Sequence, residues 1–153
     1  MKTNRLGIIS IKLQNQPFDH SSTKLLKEII DKHPDKEACL FSSCVDMIIP
    51  NTVPVLHLLH AKFFVGDVII TDMVSALLCK TFPTLQNIFF YAQNIPWLGQ
   101  ENTKHKQWSD LFGLPNINII AKNQSIYDIF SICYKQPIGI SENMTYEEIS
   151  RII

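Results

Sequence analysis

Two unbroken apolar runs, Val68-Ile69-Ile70 and Ile88-Phe89-Phe90-Tyr91, constrain the fold of this chain more than any other feature. Each stops abruptly at polar residues, the first at Thr71-Asp72 and the second at Gln93-Asn94. A strand with one wet face alternates apolar and polar side chains. A run that is apolar at every position belongs to a strand covered on both faces, as in a parallel sheet between two helical layers. The intervening MVSALLCKTF places Val74, Leu77, Leu78 and Thr81 or Phe82 near one side at helical spacing, and Pro83 ends that helix because it has no amide hydrogen to give. Residues 66–98 thus read as strand, helix and parallel strand.

The rest of the chain repeats the alternation. Leu6 to Leu13 reads as a first strand ending in the polar turn Gln14-Asn15-Gln16-Pro17, followed by a helix capped by Ser21 or Ser22 that buries Leu25, Leu26, Ile29 and Ile30. His20 falls in the loop before that helix, and His33-Pro34 closes it. Ala38 to Phe41 makes a second strand; Pro50 and Pro54 forbid a continuous helix and leave a loop before a third strand at 55–59. After Trp97, LGQENTKHK reads as a surface loop. Lys106 to Phe112 is a short helix with Trp108, Leu111 and Phe112 inward and Gly113 at its carboxyl end. Ile117, Ile119 and Ile120 build a strand. Ser125, with Asp128 three residues on, caps a helix whose Ile126, Ile129, Phe130 and Cys133 face inward. Pro137 to Ile140 is a last short strand, and the Thr145 and Glu148 box opens a helix carrying Ile149 and Ile152. The pattern predicts one Rossmann-like α/β domain over residues 1–153, three-layered, with a mostly parallel open sheet of about six or seven strands.

Composition narrows the partners. Lysine plus arginine and aspartate plus glutamate are equal at 14 each, so no global field draws in nucleic acid or an anionic membrane. The apolar run of MKTNRLGIISIKL is too short for a signal peptide and is broken by Ser10 and Lys12, and no stretch approaches the ~20 residues needed to span a bilayer. Cys39, Cys44, Cys79 and Cys133 have no CxxC spacing and read as ordinary semi-buried thiols in a reducing compartment. The expected location is the cytoplasm. The tilt toward Ile, Asn and Lys is one that AT-rich coding produces, in a bacterium or in a phage, and a phage origin would place the chain in the host cytoplasm or the virion.

Open parallel sheets bind ligands beyond the carboxyl ends of their strands. That edge comprises Gln14-Asn15, Ser42-Ser43, His60, Thr71-Asp72, the Gln93-Asn94-Ile95-Pro96-Trp97 turn, Lys122-Asn123 and Ser141-Glu142. Ser42, Ser43, Thr71, Gln93, Asn94, Trp97 and Asn123 are its candidate ligand-binding residues, and their amides and hydroxyls suit a polyhydroxylated ligand better than proton transfer. Asp72 is the candidate base, just past a buried strand where desolvation can raise its pKa, or else the N-cap of the following helix. Trp97 is a sugar platform or a core plug. His57 and His60, on a strand, would face opposite sides and share no metal. The absence of GxGxxG, of a phosphate loop, of HExxH and of GxSxG removes the usual dinucleotide, phosphate-loop, zincin and hydrolase readings, and no cofactor is expected.

The succession DVIITD, helix, NIFFYAQNIPW, helix, NINIIAKNQSIYDIF and PIGISENM, over residues 66–144, resembles the amino-terminal, acceptor-side half of a GT-B glycosyltransferase. Asn94-Ile95-Pro96-Trp97 occupies the slot where that family often places a histidine or acid before its Pro-Trp, and Ile119-Ile120-Ala121-Lys122-Asn123 with Ser125 occupies a later one. The resemblance implies a sugar or nucleotide-sugar ligand. It also implies a donor half supplied by a partner subunit, because no second Rossmann-like half, DxD or paired-glutamate motif follows. Whether the chain is an enzyme stays open. The alternative is a non-catalytic interaction module of a larger assembly, or a homo-oligomer, held through the apolar end at Ile149–Ile153 and the WLGQENTKHKQW segment.

Overall fold

The two apolar runs lie side by side and point the same way, with Val68 opposite Ile88, Ile69 opposite Phe89 and Ile70 opposite Phe90. A computed structural model describes residues 4–14, 16–97 and 102–153, with the backbone alone for Phe18 and residues 102–105. In chain order its elements are β1 (Arg5–Ile9), β2 (Lys12–Leu13), α1 (Pro17–Lys32), β3 (Glu37–Ser42), β4 (Cys44–Val45), β5 (Val55–His57), a 3-10 helix (Leu58–Phe63), β6 (Gly66–Ile70), α2 (Met73–Cys79), β7 (Leu85–Ala92), α3 (Asn102–Phe112), β8 (Ile117–Ala121), α4 (Gln124–Cys133), β9 (Gly139–Ile140) and α5 (Tyr146–Ile152).

Seven strands form one all-parallel sheet in the order β5-β3-β1-β6-β7-β8-β9. From β1 the chain adds strands outward to β5, then returns to the centre and adds β6 to β9 in the opposite direction. This is the doubly wound order, and its reversal lies between β1 and β6. α1 and α5 cover an aliphatic face, where Leu25, Leu26, Ile29 and Ile149 pack on Leu6, Ile8, Leu40 and Ile69. α2, α3, α4 and the 3-10 helix cover the other face, whose centre is aromatic: Phe112 lies 5.1 Å from both Phe90 and Phe130, ring to ring, and Trp97 sits 4.9 Å from Phe130. Among the described residues no helix is long and apolar enough to cross a membrane.

Several local expectations give way to backbone chemistry. The expected strand from Leu6 to Leu13 breaks after Ile9: buried Ser10 donates its hydroxyl to the Lys12 carbonyl at 3.2 Å, and β2 pairs with β4 as a separate two-stranded sheet. α1 starts at Pro17, ahead of Ser21 and Ser22, because Pro17 is preorganised for a first helical position and Gln16 with Asp19 forms a capping box. His20 is therefore in the first turn of a helix rather than in a loop. α2 turns a partly different face inward: Ser75, Ala76 and Cys79 are buried and Leu78 and, past the helix end, Phe82 pack against the core as expected, whereas Val74 is 61% and Leu77 38% exposed. The Asp72 cap fixes the phase of this helix, and small side chains let it lie close to the sheet. It also ends at Cys79, ahead of Pro83.

α3 begins at Asn102, so part of the expected surface loop is helical; residues 98–101 of it, and Asn15 of the first turn, lie outside the described residues. Asn123, not Ser125, caps α4, accepting from the Ile126 amide at 3.0 Å, and Cys133 is exposed rather than inward. The third strand ends at His57, where the 3-10 helix starts. Three residues complete a turn of such a helix, so His57 and His60 lie on one side, 6.4 Å between ring centres, rather than on opposite sides. The carboxyl-terminal helix packs on its own domain. Ile149 is fully buried, Ile152 and Ile153 lie against the aliphatic core, and Glu28 of α1 accepts from the Tyr146 amide at 3.3 Å.

Candidate functional site

β6 ends at Ile70, opposite Phe90, and β7 runs on to Ala92; the turns that follow the two strands enclose a cleft of about 420 Å³ at the carboxyl edge of the sheet. Thr71, Asp72 and Met73 form one wall, Asn94, Ile95 and Pro96 the other, and Trp108 of α3 closes the base. Thr71, Asp72 and Asn94, three of the sequence candidates, are thereby brought together. The Thr71 hydroxyl and the Asn94 amide have no hydrogen-bond partner among the described residues, so their polar atoms are available to a ligand.

Asp72 is committed differently. Its Oδ1 accepts from the Ser75 amide at 2.7 Å and its Oδ2 from the Ser75 hydroxyl at 2.6 Å. Both oxygens hold the first turn of α2, which is the N-cap role, and a base here would first have to give up Ser75. The carboxylate also acts inward: burial, reinforced by the Asp72 charge, pushes the Cys79 thiol up to about 12. That thiol is protonated at neutral pH and chemically quiet.

The other candidates do not line the cleft. Buried Ser42 donates to the Cys44 carbonyl at 2.8 Å and shapes the bend from β3 into β4, and Ser43 is exposed on that bend, its amide donating to the Ile11 carbonyl at 3.1 Å. Gln93 is half-buried beside the cleft. Trp97 is only 8% exposed, its ring edge-on to Phe130 and Tyr134, which is the plug and not the platform. Asn123 is spent on capping α4. The sequence reading missed Trp108 as a wall of the cleft. Its spacing with Leu111 and Phe112 marked it as core, which it also is, stacked on Phe112 at 5.3 Å.

The neighbouring amino end of α1 explains what this edge does not bind. In dinucleotide folds a glycine-rich turn leads from the first strand to a helix whose free amides hold a pyrophosphate. Here residues 10–16 contain no glycine, and the buried Asp19 carboxylate accepts from the Gln14 amide at 2.9 Å and the Gln16 amide at 3.1 Å. The protein's own anion occupies that position.

A second carboxylate organises the far end of the edge. Glu148 accepts from the Ser141 hydroxyl at 2.9 Å and from the amides of Asn143 and Thr145 at 3.1 and 3.3 Å. Burial alone would raise its pKa; these bonds outweigh that and hold the carboxyl below its ordinary value. Glu28 behaves alike: burial raises it, but Lys32 and the Tyr146 amide pull it down. Nearby, the Tyr91 hydroxyl donates to the Ser141 carbonyl at 2.8 Å, and burial together with the Glu148 charge pushes it up to about 12.

Among the described residues no group of three metal-ligating side chains comes together. A larger opening lies elsewhere: a groove of about 630 Å³ at the amino ends of β1 and β3, beside β5, which the sequence reading did not anticipate. Comparisons of the chain with protein-family models, with curated proteins and with solved structures find no significant match to any of them.

Proposed function

We propose that the chain binds a neutral, hydroxyl-rich ligand, a sugar, in the cleft between Thr71-Asp72 and Asn94-Pro96. In this reading it is the acceptor-side half of a glycosyltransferase-like enzyme whose donor site comes from a partner subunit. The observation that carries the reading is the convergence of two unengaged polar side chains, Thr71 and Asn94, in a cleft at the carboxyl edge of a doubly wound sheet, where such folds place their ligands. Charge separates a sugar from a nucleotide. Among the described residues no cation lines the cleft, Asp72 places a carboxylate there, and Asp19 already occupies the turn amides of Gln14 and Gln16 ahead of α1. Ile95 and Pro96 supply the apolar surface against which the hydrophobic face of a sugar ring packs. Asp72 positions Thr71 through the turn it caps rather than acting as a free base.

The test is a thermal-shift and saturation-transfer panel of free sugars, nucleotides and sugar nucleotides. Free sugars are expected to bind, with Asn94→Ala weakening them about tenfold or more and Asp72→Asn, which can still cap, leaving them bound. Binding by nucleoside phosphates alone, or sugar binding indifferent to Asn94→Ala, would refute the assignment. The rival reading, a non-catalytic interaction module, draws on the apolar side chains exposed between residues 55 and 65. It predicts a stoichiometric complex and no small-molecule shift.

A further inference from the structure

We propose that the groove at the amino end of the sheet binds an amphipathic anion: a small molecule with an apolar body and one carboxylate or similar acid. Its apolar walls come from four separate segments, Ile30 of α1 with Pro34 just after it, Cys39 of β3, Leu56 of β5, and Phe63 with Phe64 at the end of the 3-10 helix. About 630 Å³ falls within the ~300–1,000 Å³ of small-ligand sites, which are mostly apolar with a few placed polar groups. Apolar exposure is concentrated here. Of the eleven large hydrophobic side chains exposed among the described residues, five, Val55, Leu56, Leu59, Phe63 and Val65, fall between residues 55 and 65. Phe63 is 71% exposed, with the Lys62 ammonium 4.7 Å from its ring centre.

Charge selects the occupant. At the mouth, Arg5 and Glu37 offset each other through a 2.6 Å ion pair. Lys36 remains: its side chain lies half-buried along the groove, and its ammonium has no ion-pair or hydrogen-bond partner among the described residues. With the Lys62 ammonium over the ring of Phe63, itself a wall residue, the surroundings are net positive beside an apolar floor, the complement of an apolar acid. A second copy of the chain fits poorly, because a two-fold contact sets each Lys36 and Lys62 against a like-charged rim. An added strand fits poorly too, because β5 is three residues long and follows Pro54. Binding is non-covalent: burial pushes the Cys39 thiol up to about 12, so it offers no thiolate at neutral pH.

The experiment titrates the whole chain with anilinonaphthalene sulfonate, an aromatic acid that fluoresces in apolar sites, and competes it with dodecanoate, dodecylamine or dodecanol. Dodecanoate is expected to displace the probe at least about tenfold better than either chain-matched competitor. Phe63→Ser and Lys36→Glu, both at exposed or half-exposed positions, are expected to weaken the probe about tenfold while the cooperative melt and the effect of Asp72→Asn stay unchanged. Absence of probe binding, equal displacement by dodecylamine, or indifference to Phe63→Ser each overturns the proposal. So does a concentration-dependent dimer in sedimentation that Phe63→Ser abolishes, which would make a second copy the occupant.

Discussion

The two ends of the sheet spend their side chains in opposite ways. At the carboxyl end several of the polar side chains near the strand termini are bound to the protein itself: Asp72 to Ser75, Asn123 to Ile126, Ser42 to Cys44, and Glu148 to Ser141, Asn143 and Thr145. At the amino end the larger opening is walled largely by apolar side chains, Phe63 among them 71% exposed, with the ammonium of Lys36, which has no partner among the described residues, at its rim. The difference follows from helix direction. Helices leave the carboxyl ends of parallel strands with unpaired amides, and nearby carboxylates and hydroxyls are recruited to satisfy them. Polar character at a strand end is thus weak evidence for a ligand; what counts is a polar group left over, such as Thr71 or Asn94.

Substitutions can break or sharpen that contrast. The largest effect is expected from Trp97→Ala, which empties the space between Phe130 and Tyr134 and should cost roughly 3–5 kcal/mol in chemical denaturation, whereas Phe63→Ser in the open groove should stay within about 0.5 kcal/mol. Comparable losses at the two positions would erase the distinction between a filled carboxyl end and an unfilled amino end. Next comes Asp72→Ala, expected to cost about 1–2 kcal/mol for the lost cap, with Asp72→Asn recovering most of it. If Asp72→Ala leaves stability unchanged, the carboxylate is not structural and its claim to chemistry is restored.

The smallest effect is read in acid. Glu148 and Glu28 have folded-state pKa values below their unfolded value of 4.5, so the stability they contribute is complete above about that pH and is lost as pH falls through their depressed folded-state values. Hydrogen exchange across Tyr146–Ile152 should accelerate in that window ahead of exchange in β6 and β7, and Glu148→Gln should flatten the response. A pH-independent α5 would mean that these carboxylates do not hold it.

How much of this was legible in the sequence depended on whether one residue's neighbours could be known. The β6 and β7 pairing was readable because strands apolar at every position have few alternatives. The inward face of α2 was readable only in part: Leu78 does pack on the core, but Val74 and Leu77 outweigh Ser75, Ala76 and Cys79 in hydrophobicity, and the cap at Asp72 and the close approach to the sheet still select the small residues. Asn123 and Ser125 are both competent caps, and the choice between them is made by where β8 stops, which composition does not encode. In the candidate site, Thr71, Asp72 and Asn94 fall together because strand ends are predictable, whereas Trp97 stayed open between platform and plug because a tryptophan at a strand end can turn either way, and its burial favours the plug. The amino-end groove left no trace, since Pro34, Cys39, Leu56 and Phe63 come from different segments and share no period.

Asp19 carries a further consequence. Because it is tethered one turn inside α1, its local concentration at the Gln14 and Gln16 amides far exceeds that of any dissolved anion. Phosphate or sulfate in the medium could compete only by expelling a buried group from two donors, so oxyanion buffers should leave this protein's melting behaviour almost untouched.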